Sequence, residues 1–576
     1  MSVMELSSSR SRSISVASTA TLRAFDTDTV PEAIDLTLED SDGLQHGELA
    51  LVRVVIRGQA FQQGNFVEVR NTKLGTHIVD FIQVKVVLKG PEGKRILRGT
   101  PFTRTRNLAG ELPKKLNEIC MLHYTNISAG LGAVMEPSLV SVAEDFIVGK
   151  RKMIVTNAPW PEFNPSSGDN QMRHGRHERL GLLVCRWNAK VGFVMKGRKM
   201  KPVERAMEMM RSTEVLDVRY RIQDWKLRNR WRGSYVQGGS FINGRQVDGC
   251  PVDLDADTAV TVPRTMATDQ RYTFFDAYAG AGGVSRGAQS AGLKVSCAID
   301  KDRDACRTYK LNFPTARLFE MSVDKFIQSA SGEHIRSDVL HMSPPCQFFS
   351  PAHTRESVHD EANMDAFLGG GNLVHKIRPR IVTVEQTFGI NHDRHQPFLR
   401  ALIGHLTQLN YSVRWKVVHL CAWGCAQKRK RLIIIAAGPG ERLPEFPQDT
   451  HSEAGGAGLL PFTCFGQAIA GIMPGDELHD VEGTRHFPVP RSPLDATKLV
   501  DTVTTGAGDL YHPSGRRELT IREYACLQGF PHCHRFRGTK TSKRCQIGNA
   551  FPPNTVEVLY RHLRLSLLRQ DGLMGA

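Results

Sequence analysis

Residues 338 to 354 read Asp-Val-Leu-His-Met-Ser-Pro-Pro-Cys-Gln-Phe-Phe-Ser-Pro-Ala-His-Thr. The apolar run at the start ends at Ser343, which is typical of a buried strand that stops at the edge of a sheet. Pro344 and Pro345 fix φ and supply no amide hydrogens, so they stiffen the loop that carries Cys346. Open α/β sheets bind ligands at the carboxyl ends of their strands, which makes Cys346 a candidate nucleophile. The alternative is a small buried hydrophobic residue, the usual state of a lone intracellular cysteine.

The composition is that of a globular chain with a basic surface. The 576 residues are 40% hydrophobic, the mean hydropathy is −0.30, and the formal net charge is +16. The length predicts about two to four domains. We find no apolar run long enough for a bilayer and no signal peptide, so no membrane partner is expected. The positive charge favours a polyanionic partner, nucleic acid first. The 12 cysteines show no paired C-x-x-C spacing, so neither a disulfide framework nor a metal site is expected.

Changes in composition divide the chain into four parts. Residues 1–45 are polar and without period, which predicts a disordered tail. Residues 46–160 contain several strand-like segments separated by turn signals, which predicts a small β-rich domain. Residues 161–270 are interpreted as a basic spacer and linker, with helical composition from Glu204 to Glu214 and a basic run, Lys-Gly-Arg-Lys-Met-Lys, at 196–201. That run could meet phosphate or act in nuclear import, although a solvated face is the simpler interpretation. Residues 271–576 form the fourth part.

The fourth part opens with the arrangement of a nucleotide-binding fold. The strand Tyr272-Thr-Phe-Phe is followed by a turn with glycines at 280, 282 and 283 and by a helical stretch to Ala291. Glycines let the backbone approach a ligand, and the amino end of a helix offers free amides. A second strand ends at Asp300, close to where a ribose-binding carboxylate belongs.

Five segments, in order, resemble the motifs of DNA (cytosine-5) methyltransferases. They are Phe275-Asp-Ala-Tyr-Ala-Gly-Ala-Gly-Gly-Val-Ser, Pro344-Pro-Cys-Gln, Gln427-Lys-Arg-Lys-Arg, Arg517-Glu-Leu-Thr-Ile-Arg-Glu-Tyr-Ala-Cys-Leu-Gln-Gly-Phe-Pro and Gln546-Ile-Gly-Asn-Ala. The resemblance implies a doubly wound, Rossmann-like α/β domain with a small target-recognition lobe at about 438–514. It also implies S-adenosyl-L-methionine as cofactor and double-stranded DNA in the nucleus as substrate. The order of pieces in residues 46–160 resembles a bromo-adjacent homology (BAH) domain, which implies chromatin or partner proteins as further partners.

The same resemblance assigns roles to individual residues. Cys346 would be the thiolate that attacks C6 of cytosine, Glu385 the acid at N3, and Arg429 and Arg431 the cations that bind the base. The implied cofactor site comprises Phe275, Asp276, Tyr278, Gly280, Gly282, Gly283, Asp300 and Asn549. The target base lies inside a duplex, so it must be flipped out at a cost of a few kcal/mol.

The chain departs from the family pattern at several positions. Gln386 stands where the family has asparagine, Phe348 where it has glycine, and Tyr278 where phenylalanine is common. In the third motif, Ser322 occupies the position of the family's usual acidic residue, and Asp324 is nearby. The tripeptide Glu385-Gln-Thr, together with the loop around Cys346, resembles a fungal branch implicated in repeat-induced point mutation and premeiotic methylation. That branch implies action on repeated DNA in genome defence.

Alternative functions remain open at the sequence level. One is a catalytically silent protein that recognises DNA repeats, and another is an RNA cytosine methyltransferase. Deamination of cytosine, from an adduct formed without cofactor, is a further possibility.

Overall fold

The computed structural model describes residues 48–91, 93–127, 138–160, 178–197, 199–234, 236–247, 265–329, 335–345, 369–506 and 510–574. The predicted tail at 1–45, most of the polar linker predicted at 253–269 and the nucleophile candidate Cys346 lie outside these residues. Among the described residues, no helix has both the length and the apolar character needed to cross a bilayer.

The strands are numbered in chain order. They are β1 (Leu49–Leu51), β2 (Arg53–Ile56), β3 (Gln59–Gln62), β4 (Phe66–Leu74), β5 (His77–Lys89), β6 (Arg95–Arg104), β7 (Glu118–Asn126), β8 (Val140–Ala143), β9 (Ile147–Lys150), β10 (Met153–Val155), β11 (Leu183–Lys196), β12 (Lys199–Met209), β13 (Phe241–Ile242), β14 (Arg245–Gln246), β15 (Thr273–Ala277), β16 (Lys294–Asp300), β17 (Arg317–Glu320), β18 (Val339–Met342), β19 (Ile381–Thr387), β20 (Ser412–His419), β21 (Lys430–Ala437), β22 (His451–Ser452) and β23 (Leu460–Pro461).

The α-helices of the described residues are numbered in the same way. They are α1 (Asp224–Arg232), α2 (Gly283–Ser290), α3 (Arg303–Asn312), α4 (Val323–Gln328), α5 (Gly370–Ile377), α6 (Gln396–Gln408), α7 (Phe465–Ile469), α8 (Ile521–Leu527), α9 (Lys540–Asn549) and α10 (Pro553–Gln570). Single 3₁₀ turns lie at Thr105–Asn107, Glu144–Phe146, Val218–Tyr220, Phe388–Asn391, Asp393–His395 and Leu420–Trp423.

The carboxyl-terminal half is a mostly parallel sheet with helices on both faces, as the sequence predicts. The strand order is β17-β16-β15-β18-β19-β21-β20, and only β21 runs against the others. Neighbouring side chains of a strand point to opposite faces, and here Phe274 joins one buried cluster and Phe275 the other. Helices α4, α5 and α6 cover one face, while α2, α3 and α10 cover the other. This is a doubly wound fold, and its carboxyl edge lies after β15, β18 and β19.

The amino-terminal part is β-rich, and its sheet continues into the catalytic sheet. Strands β4 to β9 pair through an antiparallel ladder, and β7 pairs in parallel with β11. Strand β12 pairs with β11 on one side and with β20 of the catalytic sheet on the other. The likeness to a BAH domain stays a prediction.

The interpretation of residues 161–270 as a spacer is therefore wrong for its central part. Two long strands, β11 and β12, occupy 183–209, and the helical composition from Glu204 to Glu214 is overridden because β12 is paired on both sides. Arg186 ties the two halves together in the interior: its guanidinium lies 2.8 Å from the Glu118 carboxylate and donates a 3.0 Å hydrogen bond to Asn410 Oδ1, just before β20.

The segment at 438–514, predicted to hold target recognition, is largely irregular. Its regular elements among the described residues are the short pair β22 and β23 and the five-residue helix α7. A separate buried cluster that includes Phe465, Val503, Leu519 and Phe530 joins this segment to α8 and α9. The insertion therefore packs against the chain that returns to the cofactor half.

Candidate active site

The glycine turn follows β15 and needs backbone conformations that side chains disfavour. Tyr278, Gly280 and Gly282 have φ of 62°, 54° and 83°. A Cβ on Gly282 would lie 2.4 Å from the ring of Phe313, whereas one on Gly280 would meet nothing within 4 Å. Gly282 is thus required for packing against α3. Gly280 instead faces open space, where a ligand can approach the backbone.

Asp300 ends β16 beside this turn. Its Oδ2 accepts a 2.7 Å hydrogen bond from the Gly280 amide, and its Oδ1 accepts one of 2.8 Å from the Asp302 amide. Burial raises the pKa of the Asp300 carboxyl, and the two amides work in the opposite direction by stabilising its charge. The carboxylate therefore both fixes the turn and reaches the ligand side of the sheet.

A cavity of about 780 Å³ lies at the carboxyl edge of the sheet and brings distant motifs together. Five of the eight predicted cofactor residues line it: Tyr278, Gly280, Gly283, Asp300 and Asn549. Pro344, Pro345 and Glu385 line the same cavity, so the cofactor half and the catalytic loop share one space. Cys346 lies outside the described residues, but its neighbour in the chain, Pro345, is at the cavity wall.

Three of the eight predicted cofactor residues, Phe275, Asp276 and Gly282, do not line this cavity. Phe275 is fully buried in the core, where it packs edge to face on Phe326 with ring centroids 5.7 Å apart. Asp276 accepts hydrogen bonds from the amide and hydroxyl of Ser285 and so caps α2. Burial raises the pKa of Asp276 to about 7. Both residues support the glycine turn from behind, and their assignment to the cofactor stays a prediction. Gly282, the third residue away from the lining, is confined by Phe313.

The catalytic edge is organised around Glu385 near the end of β19. Its side chain is 7% exposed, and its Oε1 forms an ion pair of 2.6 Å with Nε of Arg431 on the neighbouring strand β21. Holding one carboxylate oxygen in this way leaves Oε2 as the oxygen that can face a bound base. The geometry brings two of the four predicted catalytic residues into contact.

Gln386, which replaces the family's asparagine, contacts the loop that precedes Cys346. The side chain is fully buried, and its Nε2 donates a 2.9 Å hydrogen bond to the carbonyl of Pro344. The longer side chain therefore keeps the contact with the loop that precedes Cys346. Its Oε1 has no hydrogen-bond partner among the described residues.

Arg429 occupies a different environment from Arg431. Its guanidinium is buried and donates to the main-chain carbonyls of Val503 at 2.9 Å and of Gly548 and Ala550 at 3.2 Å. These contacts join β21 to the recognition segment and to α9. In this position Arg429 holds three main-chain segments together, and its predicted contact with the cytosine base stays a prediction.

A buried polar chain fixes Ser343, which also lines the cavity. His341 Nε2 lies 2.5 Å from Ser343 Oγ, and His341 Nδ1 lies 2.8 Å from Thr383 Oγ1 and 3.1 Å from the hydroxyl of Tyr560. Burial lowers the pKa of His341 to about 3, so the ring is neutral at physiological pH. The chain connects α10 and β19 to the start of the catalytic loop.

The triplet His532-Cys533-His534 contacts the glycine turn and α2 through His534. His534 is buried, its Nε2 lies 3.0 Å from the carbonyl of Ala281, and its Nδ1 accepts from Nε of Arg286. Burial lowers its pKa to about 3, and these contacts fit a neutral ring that donates from Nε2. Within the described ranges, no group of three or more His, Cys, Asp or Glu could hold a metal ion.

Several lining residues were not in the predicted site. They are Lys301, Asp302, Asp304, Met321, Ser322, Val323, Asp324, Thr539, Thr541, Ser542, Cys545 and Gln546. The acids at 302 and 304 follow the predicted ribose carboxylate directly, and Ser322 with Asp324 stands in the third motif, so a sequence signal existed for these four. Gln546 belongs to the fifth motif, so it also had a signal. Thr541, Ser542 and Cys545, earlier on α9, have none, because only the fold carries that part of the helix to the cavity.

Comparison with known proteins agrees with this geometry. Residues 272–457 and 476–564 match the family model described as C-5 cytosine-specific DNA methylase. The chain is 27% identical over 332 residues to the type II methyltransferase M.Sau96I of Staphylococcus aureus, covering 51% of this chain and 75% of that protein. It is 24% identical over 459 residues to DNA (cytosine-5)-methyltransferase 1B of Oryza sativa subsp. japonica, covering 56% of this chain but only 30% of that protein. The crystal structure of S. pombe Dnmt2 methyltransferase has 16% identity and a TM-score of 0.38, covering 52% of this chain and 99% of that one.

The doubly wound sheet, the glycine turn and the glutamate at a shared cavity define an α/β methyltransferase. The chain matches the C-5 cytosine-specific DNA methylase family through its carboxyl-terminal half. It is a DNA (cytosine-5) methyltransferase by class, and the methyl donor of this class is S-adenosylmethionine.

The residues of the cavity fit that cofactor. S-adenosylmethionine carries a positive sulfonium and an amino group, and the lining holds five carboxylates, Asp300, Asp302, Asp304, Asp324 and Glu385, against the single lysine Lys301. The acidic lining contrasts with the net charge of +16 for the whole chain. The open space at Gly280 and the carboxylate of Asp300 suit a ribose, and Ile299, Met321 and Val323 supply apolar wall for the adenine ring.

Proposed function

We propose that this protein methylates C5 of cytosine in double-stranded DNA through a covalent adduct with Cys346, and that repeated DNA in the nucleus is its target in genome defence. The observation that carries the chemistry is the position of Glu385. Its carboxylate is held by Arg431 at the wall of a cavity that is also lined by Pro344, Pro345 and five of the predicted cofactor residues. That position supports a role for Glu385 in holding a proton at N3 of a flipped cytosine.

Cys346, Glu385 and Gln386 each have a separate role in the proposed reaction. The Cys346 sulfur adds to C6 while Glu385 holds a proton at N3, so the electron pair displaced in the ring becomes available at C5. When bound, S-adenosylmethionine supplies an electrophilic methyl group. Water then takes the C5 proton, the C–H electron pair re-forms the C5–C6 double bond, and the C6–S bond breaks to release Cys346 as the thiolate. Gln386 keeps the loop in register for the attack through its hydrogen bond to Pro344.

The choice of repeated DNA and of the nucleus is supported by sequence. The Glu385-Gln-Thr tripeptide and the loop around Cys346 resemble the fungal branch described above, and the basic chain suits a polyanion. Methylation of tandem-repeat duplex and of single-copy duplex with the same base composition should differ, with more methyl groups transferred to the repeats. Equal transfer to both substrates would reject the proposed specificity for repeats but not the proposed methyltransferase activity.

The test of the reaction is transfer of labelled methyl groups from S-adenosylmethionine to duplex DNA, with RNA of the same sequence as competitor. We expect Glu385→Gln to reduce kcat by about 10²- to 10⁴-fold, because a positioned acid contributes on that order. Glu453→Gln is the matched control, since it makes the same change on an exposed loop. Cofactor binding, measured by calorimetry, should equal that of the wild type in Glu453→Gln and should remain measurable in Glu385→Gln, which shows that this variant still folds around the cofactor.

Three outcomes would count against the proposal. Cofactor binding without transfer to any nucleic acid favours the silent DNA-recognition protein. Preferred transfer to RNA favours the RNA methyltransferase. Uracil formation in the absence of cofactor favours deamination.

A further inference from the structure

We propose that the hairpin formed by β11 and β12 binds the sugar-phosphate backbone of the DNA duplex several base pairs from the target cytosine. Its outer part, residues 194–197 and 199–203, is called the lysine hairpin here. The inference rests on the proposed function, since it takes duplex DNA as the substrate. It adds a binding surface contributed by the amino-terminal half of the chain.

Strand register places the lysine hairpin at the catalytic edge. Glu385 is opposite Ile433, which is opposite Lys416, which is opposite Glu204, so these four residues form one row across the sheet. Strand β12 runs towards this row from the side on which β18 and β19 end. Its first residues therefore project beyond the row in the direction of the active site.

The distances suit a duplex that delivers a base to Glu385. Three strand spacings separate β19 from β12, a lateral distance of about 14 Å, and Lys199 stands five residues beyond Glu204, a further distance of about 16 Å along the strand. Together these give a separation of about 21 Å. At about 3.4 Å per base pair, this corresponds to phosphates roughly six base pairs from the flipped base.

The hairpin has one basic face and one apolar face. Lys196 is opposite Lys199, and Lys201 is opposite Val194, while Met195 is opposite Met200. Because cross-strand partners share a face and neighbours alternate, the three lysines lie on one side and the two methionines on the other. Like charges that directly oppose each other across a ladder destabilise it. A polyanion on the lysine side relieves that repulsion.

Charged side chains farther from the tip of the same hairpin form ion pairs. Lys190 lies 2.6 Å from Glu208, and Arg205 lies 3.4 Å from Glu111. In the part of the chain that the structure describes, Lys196, Lys199 and Lys201 are exposed and form no such ion pair. Among the described residues of β11 and β12, uncompensated positive charge thus lies at the tip, on the side of the sheet where the substrate must arrive.

The experiment compares two triple variants of the full-length protein. One is K196Q/K199Q/K201Q. The control, K73Q/K85Q/K89Q, removes the same charge from exposed positions on β4 and β5, which do not pair with the catalytic sheet. Duplex affinity is measured by fluorescence anisotropy over a series of salt concentrations, first with about fifteen base pairs on each side of the target and then with about three.

The lysine hairpin variant should lose affinity at least tenfold on the long duplex. The slope of log K against log salt should become shallower by about 2 to 3, because each phosphate contact contributes about 0.9. Wild type and control should keep the steep slope on the long duplex, and shortening it should weaken them to the level of the variant. Methyl transfer at saturating DNA should keep its kcat in both triple variants.

An unchanged slope in the hairpin variant, in a protein that still binds duplex, would overturn the inference without touching the proposed chemistry. Tighter duplex binding by the variant would overturn it as well, because it would mean that the lysines hold an acid-rich part of the chain such as residues 32–42. Since binding is the readout, loss of methyl transfer in the wild type would reject the proposed function separately.

Discussion

At the residue scale, Gln386 is the departure from the family pattern with the most direct consequence. Its 2.9 Å hydrogen bond holds the Pro344 carbonyl from a fully buried position. Gln386→Leu should leave that carbonyl unsatisfied at a cost of about 1–3 kcal/mol, and Gln386→Asn should weaken the contact because the side chain is one methylene shorter. We expect kcat to fall in the order Gln, Asn, Leu with cofactor affinity unchanged. Parallel loss of cofactor affinity would mean that the residue supports the whole fold instead of the loop.

His341 is a second residue whose environment makes a measurable prediction. Its folded pKa is about 3 against an unfolded value of 6.5, so the unfolded state takes up a proton first as the pH falls. The stability linked to this residue is therefore complete above pH 6.5 and is lost between 6.5 and 3. Between pH 7.5 and 5, the wild type should lose about 2 kcal/mol more than His341→Gln, which has no titrating ring. Urea unfolding at the two pH values checks this, and equal losses would show that the ring does not control acid stability.

At the scale of the element, the two glycines of the turn have different roles: Gly282 allows close packing, and Gly280 leaves space for a ligand. Gly280 and Gly282 both have positive φ, but only Gly282 has a neighbour that a Cβ would strike. Gly282→Ala should lower the melting temperature of the cofactor-free protein by several degrees, because Phe313 and α3 must move. Gly280→Ala should cost only about 1–2 kcal/mol of backbone strain yet lose most of the cofactor affinity, since its methyl group enters the cavity. Equal melting temperatures for the two variants would contradict this division.

The elements also show where sequence reasoning works. The strands and helices of the catalytic half follow from apolar runs, glycine turns and motif order, and the structure places Glu385, Arg431 and five predicted cofactor residues as a connected site. The side on which a motif residue points is harder to predict. Phe275 and Asp276 belong to the right motif, but strand alternation and helix capping turn them away from the cavity. Arg429 and Arg431 belong to one motif, but the folded chain gives them different contacts: main-chain carbonyls for Arg429 and the Glu385 carboxylate for Arg431.

The course of β12 could not be predicted for a related reason. Residues 204–209 have helical composition, but they lie between β11 and β20, two strands that are far away in sequence. Pairing on both sides outweighs local propensity, and a single sequence gives no sign of such a pairing. Thr541, Ser542 and Cys545 of α9 were missed because contacts distant in sequence, and no local motif, bring that part of the helix to the cavity.

At the scale of the whole molecule, the continuous sheet predicts that both halves unfold together. Arg186 sits between them with a side chain 2% exposed, paired with Glu118 and bonded to Asn410. Arg186→Leu leaves a buried carboxylate without its cation, and we expect a loss of about 3–5 kcal/mol in a single thermal transition. Arg219→Leu removes an exposed ion pair with Asp217 and should leave the transition unchanged. Two separate transitions, of which only one shifts, would show that the halves are independent.

The central claim is that Cys346 attacks cytosine in DNA, and trapping tests it most directly. The protein is mixed with S-adenosylmethionine and a duplex containing 5-fluorocytosine, beside Cys346→Ala as control. Fluorine at C5 cannot leave as a proton does, so the adduct cannot resolve. We predict a complex that survives denaturant and requires both the cofactor and Cys346. Absence of that complex in a protein shown to bind both cofactor and duplex would contradict the account.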